Sequence, residues 1–184
     1  MAQQTGIPSV ERFVARWLIG RWCRRNPPER TCQMLREQEG ELRALFAAAA
    51  DRATTRVQIK RLPGLESSST NYSLAMVADH LARVNSDIAI TLGSLARNER
   101  GTIEVRTANY KPSPDAAPDA SLAALDRSIL ALESVLADTG PIRRSRMGHV
   151  HPWFGELPAT TWACFPAFHQ ALHMKQARLI AAGL

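Results

Sequence analysis

The sequence is short of cysteines, aromatics and long apolar runs, and each shortage removes a class of protein. Cys23, Cys32 and Cys164 are its three cysteines, an odd number with no C-x-x-C spacing. Structural disulfides are therefore not expected, and a reduced, cytoplasmic setting fits best. Cys164 stands in an apolar segment and reads as an inert core thiol. No stretch approaches the roughly 18 to 20 apolar residues of a membrane-spanning helix. The N-terminus also lacks an apolar core followed by a small-residue cleavage site. Aromatics make up 6% of the chain. Neither of its arginine clusters alternates with them as a surface that stacks single-stranded nucleic acid would. Nucleic acid is thus disfavoured as a partner, although the formal net charge is +6.

What is present is ordinary for one globular core. The 184 residues are 45% hydrophobic and 22% charged, and plentiful alanine leans towards helix. There is no internal repeat and no domain linker. Residues 1–184 read as a single helical-bundle domain, with 1–28 as a basic helix and linker packed on it. Its arginines are Arg12, Arg16, Arg21, Arg24 and Arg25, with Arg30 just beyond; Arg143, Arg144 and Arg146 form a second cluster.

Apolar spacing predicts the helices. Ser9 caps a first helix running to about Arg25, in which Val10, Phe13, Val14, Trp17, Leu18 and Trp22 form one stripe opposite the arginines. Such a stripe suits packing on the domain or on a dimer partner better than a membrane surface. Asn26-Pro27-Pro28 ends it. A second helix runs from about Thr31 to Asp51, and 56–70 reads as loop. The third, about Tyr72 to Arg97, carries Leu74, Val77, Leu81, Val84, Ile88, Leu92 and Leu95 on one face. Asn98 to Asp119 is a long proline-bearing connection, explained by a crossover running the length of a bundle, with Thr102 to Val105 as a short extended piece. A fourth helix spans about Ser121 to Asp138. The last spans about Thr160 to Ala182, its inward seam Trp162, Phe165, His169, Leu172, Gln176 and Leu179, with Pro166 expected to kink it or shift its start. The fold class expected is an all-α four-helix bundle with no convincing sheet, plus the N-terminal amphipathic helix.

His169 and His173 stand at i and i+4, an offset that brings two rings over one spot. His80 follows Val77 by three and precedes Val84 by four, so it points into the bundle. Three neutral imidazoles suit a divalent ion and leave it open positions. The bland alternative for the pair is two interface histidines, each satisfied by its own hydrogen-bond partner. Position 170 is Gln170, so the H-E-x-x-H arrangement of zinc peptidases is absent. Asn85 and Gln176 lie one turn from the ligand positions and could steady them, or be ordinary polar interface residues. His149 and His151 form an H-x-H that could be a second metal pair, though Pro152 and the adjoining aromatics favour a packed turn; His151 is kept as a supporting residue of the first site. No carboxylate is placed by spacing as a general base. Glu66, Asp79 and Glu156 are merely near in the chain.

The segments His151-Pro-Trp-Phe-Gly-Glu-Leu157 and Phe168-His169-Gln-Ala-Leu-His173-Met-Lys-Gln176, with Asp79-His80-Leu81-Ala-Arg-Val-Asn85, resemble the DinB/YfiT-like superfamily. The basic N-terminal helix, the proline break and the acidic second helix resemble its uncharacterised DinB-like branch. The resemblance implies a four-helix bundle with a long crossover between its second and third helices, a zinc or nickel site at His80, His169 and His173, and a homodimer. It also implies a small-molecule substrate and, as in some relatives, a thiol-dependent transferase reaction with a low-molecular-weight thiol. Pro166 and the alanine-rich second helix depart from the pattern without removing a ligand. The alternatives are a metal-dependent hydrolase, or a non-catalytic module in which a metal with a fourth protein ligand ties helices together.

Overall fold

Leu74, Val77, Leu81, Val84, Ile88, Leu92 and Leu95 recur every three or four residues, and all seven are buried. They make α3 (Leu74–Ala96), the central helix, whose Ser73 hydroxyl caps it by accepting from the Met76 amide at 3.2 Å. The computed structural model describes residues 9–184; residues 1–8 of the expected 1–28 segment and the side chain of Ser9 lie outside the described residues. The elements are α1 (Ser9–Arg25), α2 (Thr31–Ala49), β1 (Val57–Gln58), β2 (Asn71–Tyr72), α3, α4 (Pro118–Leu136), the short α5 (Gly140–Arg144), β3 (Gly148–His151), β4 (Gly155–Pro158) and α6 (Ala159–Ala182).

Helices α2, α3, α4 and α6 form a four-helix bundle. α3 lies against α4 and α6, and α2 closes the ring from the opposite corner, also against α4 and α6. Leu35 and Leu42 of α2, Leu125, Ile129 and Leu132 of α4, and Trp162, Ala163 and Ala177 of α6 meet the α3 seam in one core. Polar links fix the register. Arg36 of α2 reaches Asp126 at 2.6 Å and Glu133 at 2.7 Å on α4, and also holds the buried Glu39. Gln170 of α6, fully buried, donates to the Leu35 carbonyl and accepts from Asn85, both at 3.2 Å.

The connection between α3 and α4 is a crossover along the bundle. Tyr110 donates its hydroxyl to Asp87 at 2.9 Å, and the Ser113 amide donates to Asp79 at 2.8 Å. The chain thus rides back along α3 towards its start before α4 begins. Thr102 to Val105, expected as extended, forms no strand, since nothing pairs with it among the described residues.

Several expectations are corrected. Small sheet is present: β1, inside the region expected to be loop, pairs with β2 just beyond it, and β3 pairs with β4 as a hairpin around Pro152, Trp153 and Phe154. α2 stops at Ala49, where Ala50 turns to φ 51° and a 3-10 turn follows to Thr54. α6 begins at Ala159, so Pro166 does not shift its start and lies inside the helix. Thr31 donates to the Ala163 carbonyl and Gln38 to the Ala167 carbonyl, so two α2 side chains tie down the α6 turn that holds the proline. Leu179 is 43% exposed, because the inward seam continues through Gln176 to Ile180.

α1 also differs from its expected orientation. Ile19 is its buried anchor, with Ala15, Trp22 and Cys23 packed beside it, while Phe13 and Trp17 are 76% and 56% exposed. Positions 15, 19, 22 and 23 form a continuous helical face of their own, and it is this face that docks on α6. Trp22 meets Phe168 edge-on at 5.6 Å, and Arg16 donates to the Phe154 carbonyl. Arg21 and Arg25 follow Val14 and Leu18 by seven residues, so they share a face with apolar residues and do not stand opposite them.

Candidate metal centre

His80 of α3 and His169 and His173 of α6 converge. One ring nitrogen from each lies within 4.8 Å of the other two. Ring centroids are 4.4 Å apart for His80 and His173, 4.6 Å for His169 and His173, and 5.2 Å for His80 and His169. The i, i+4 spacing sets the α6 pair, and the inward face of α3 delivers the third ring.

Hydrogen bonds decide which nitrogens are free. The Nδ1 of His80 lies 2.6 Å from the Tyr110 carbonyl, which can only accept, so Nδ1 carries the proton and Nε2 keeps its lone pair. Gln176 donates its amide N–H to the Ser69 carbonyl at 2.7 Å, which turns its oxygen to His173 Nδ1, also at 2.7 Å. His173 therefore donates from Nδ1 and leaves Nε2 as a lone pair. His80 Nε2 and His169 Nδ1 are buried and have no hydrogen-bond partner. Buried imidazole nitrogens without partners, on rings grouped this closely, suit a cation, and at His80 the opposite nitrogen is held by an acceptor as in metal ligands. His169 is steadied by Phe165, stacked on it at 5.6 Å and 22°.

No family model and no curated protein matches the chain. A solved structure does: the crystal structure of TT2238, described as a four-helix bundle protein, is similar with a TM-score of 0.50 and 24% identity. The match covers 81% of this chain and 99% of that one. The similarity extends to the fold alone. Nothing in the described residues is long and apolar enough to cross a membrane as a helix.

The trio lines a cavity of about 100 Å³, room for roughly three waters. No fourth histidine, cysteine or carboxylate joins the cluster among the described residues. Burial pushes His80 below the ordinary imidazole range, and burial together with the neighbouring rings takes His169 and His173 well below it. All three are neutral at pH 7, the form that binds metal.

The supporting candidates separate. Gln176 touches His173. Asn85 does not reach a histidine; it is spent on Gln170, because that pair bridges α3 to α6. His151 lines the same cavity, but its Nδ1 accepts the Trp153 amide at 3.1 Å, leaving its proton on Nε2. It stacks on Phe154 at 4.4 Å, and burial drives its pKa down to about 3. His149 lies 5.5 Å from Trp162 with a buried, unpartnered Nε2. The H-x-H forms no three-residue metal cluster among the described residues. Of the carboxylates, Asp79 is held by Arg83 and the Ser113 amide. Glu156 is exposed on β4, and Glu66 reaches the cavity wall. Asp87, on the same wall, was not foreseen. Nor were Tyr110 and Ser69, which act through backbone carbonyls and leave no side-chain signal.

Proposed function

We propose that the chain is a DinB/YfiT-like metal protein in which His80, His169 and His173 hold one divalent ion, zinc or nickel. The observation that carries this reading is the grouping of three ring nitrogens within 4.8 Å, with His80 Nε2 and His169 Nδ1 buried and unpartnered and the His173 tautomer set by Gln176. The ion would supply Lewis acidity, lowering the pKa of a thiol or a water at its open position. With no fourth protein ligand grouped there among the described residues, the arrangement favours an open site over a closed structural one. The activity proposed is a metal-dependent transferase joining a low-molecular-weight thiol to a small electrophile. The chain's own part is to orient His80 through Tyr110 and His173 through Ser69 and Gln176, and to limit water through the aromatic wall of Trp153, Trp162 and Phe165. The same reading places the protein in the cytoplasm as a homodimer.

Metal content by mass spectrometry on tag-free protein, wild type beside His169→Ala, tests it. The expected result is about one zinc or nickel ion per chain, lost in the variant, followed by thiol-transfer activity in the wild type. A wild type that stays empty when offered zinc and nickel overturns the metal reading. A loaded but inactive protein returns it to a non-catalytic metal module.

A further inference from the structure

The histidine cavity, at about 100 Å³, has little room beyond the reacting groups themselves. Beside it, between α1 and α6, lies a groove of about 660 Å³, within the range of small-molecule sites. The two are not separate features. Gly64, Trp153, Phe165 and His169 line both. Gly64 makes this partition thin: it sits at φ 84°, where glycine is favoured, and a Cβ there would press on Leu172 at 3.3 Å.

The groove has a distinct chemistry. Its walls are Val14, Leu18, Trp22, Phe154, Phe168 and Leu172, all apolar. Arg21, Arg25 and Lys175 line it and are exposed, so they stand at its edge. Among the described residues none of these cations has a carboxylate partner within 4.0 Å. Its single acid among the described residues, Glu11, is already paired with Arg61. An apolar trough edged by unpaired cations complements a molecule with the reverse pattern.

We infer that this groove is the substrate arm of the site, and that its ligand is an amphipathic anion: an apolar carbon body lying against Trp22, Phe168 and Leu172, with one acidic group paired at Arg21, Arg25 or Lys175. Its other end passes His169 into the small cavity. Only that last statement rests on the proposed metal reading; the groove's occupancy does not. The seven-residue spacing that sets Arg21 behind Val14 and Arg25 behind Leu18 is what gives α1 an apolar floor and a charged edge on one side.

The test is calorimetric titration of the full chain, stripped of metal by a chelator, with submicellar decanoate and with 1-decanol. Decanoate is expected to bind one per chain. Arg25→Glu with Lys175→Glu should weaken decanoate by roughly tenfold or more while leaving decanol nearly unchanged. Leu18→Asp, at an already half-exposed position, should weaken both ligands. Absence of decanoate binding in the stripped wild type overturns the inference, as does equal weakening of acid and alcohol by the charge reversals. A concentration-dependent dimer that Leu18→Asp dissociates and decanoate does not compete with would assign the groove to a second copy and also overturn it. Failure of the metal reading is seen separately, in the ion content of the unstripped protein, and does not change decanoate binding.

Discussion

Two groups of histidines sit within one ring-stack of each other and are wired in opposite senses. In the α3/α6 trio, acceptors hold the Nδ1–H of His80 and His173, so Nε2 of each keeps its lone pair. In the hairpin, the Trp153 amide donates to His151 Nδ1, so the proton is forced onto Nε2. The first arrangement can receive a cation and the second presents a donor. Residue type alone does not distinguish them; the partner of the far nitrogen does.

The sharpest way to break this comparison is to exchange the outcomes. His173→Ala should abolish metal retention, whereas His149→Ala should leave it intact, as read by ion content per chain after gel filtration. Retention by the trio variant, or loss in the hairpin variant, would reverse the assignment. A weaker perturbation acts through the tautomer. Gln176→Leu removes the Ser69–Gln176–His173 relay and should weaken metal binding by about 10- to 100-fold, measured by competition with a chromophoric chelator. An unchanged affinity would mean that the relay does not set His173.

The hairpin offers the next effect. His151 has a folded pKa of about 3, below the ordinary value of about 6.5. The unfolded chain therefore takes up the proton first as pH falls, so the stability His151 lends is complete above 6.5 and is lost progressively towards 3. Between pH 7.5 and 5.5 the wild type should lose about 1.4 kcal/mol more than His151→Phe in urea titrations. Parallel pH profiles would show that His151 is charged in the fold or as exposed as in the unfolded chain. The smallest expected change is at Asn85, which touches no histidine. Asn85→Ala should cost about 1 kcal/mol through the lost Gln170 contact and leave metal content unaltered; a loss of metal would tie Asn85 to the site after all.

The helices were legible because their periodicity is strong and their core positions are apolar, as in α3. The bundle and its crossover followed from helix count and one long connection. The strand pairs were not legible: two residues at β1 and four at β3 are too short to show alternation. α1 was misoriented because two apolar faces compete on one short helix, and only docking on α6 selects Ile19 over Phe13. The three candidate ligands were legible from spacing on regular helices. Their supports were divided, with Gln176 on a histidine and Asn85 on Gln170.

By itself the sequence determined what regular helices transmit: which residues share a face, that His169 and His173 lean together, and that His80 points inward. Those follow from 3.6 residues per turn and need no partner. Only the tertiary structure decided the protonation pattern of His80 and His173 and the wall that the small cavity shares with the α1 groove. Both depend on atoms far apart in the chain, the carbonyls of Tyr110 and Ser69 and the face of a docked helix, whose meeting no local pattern encodes.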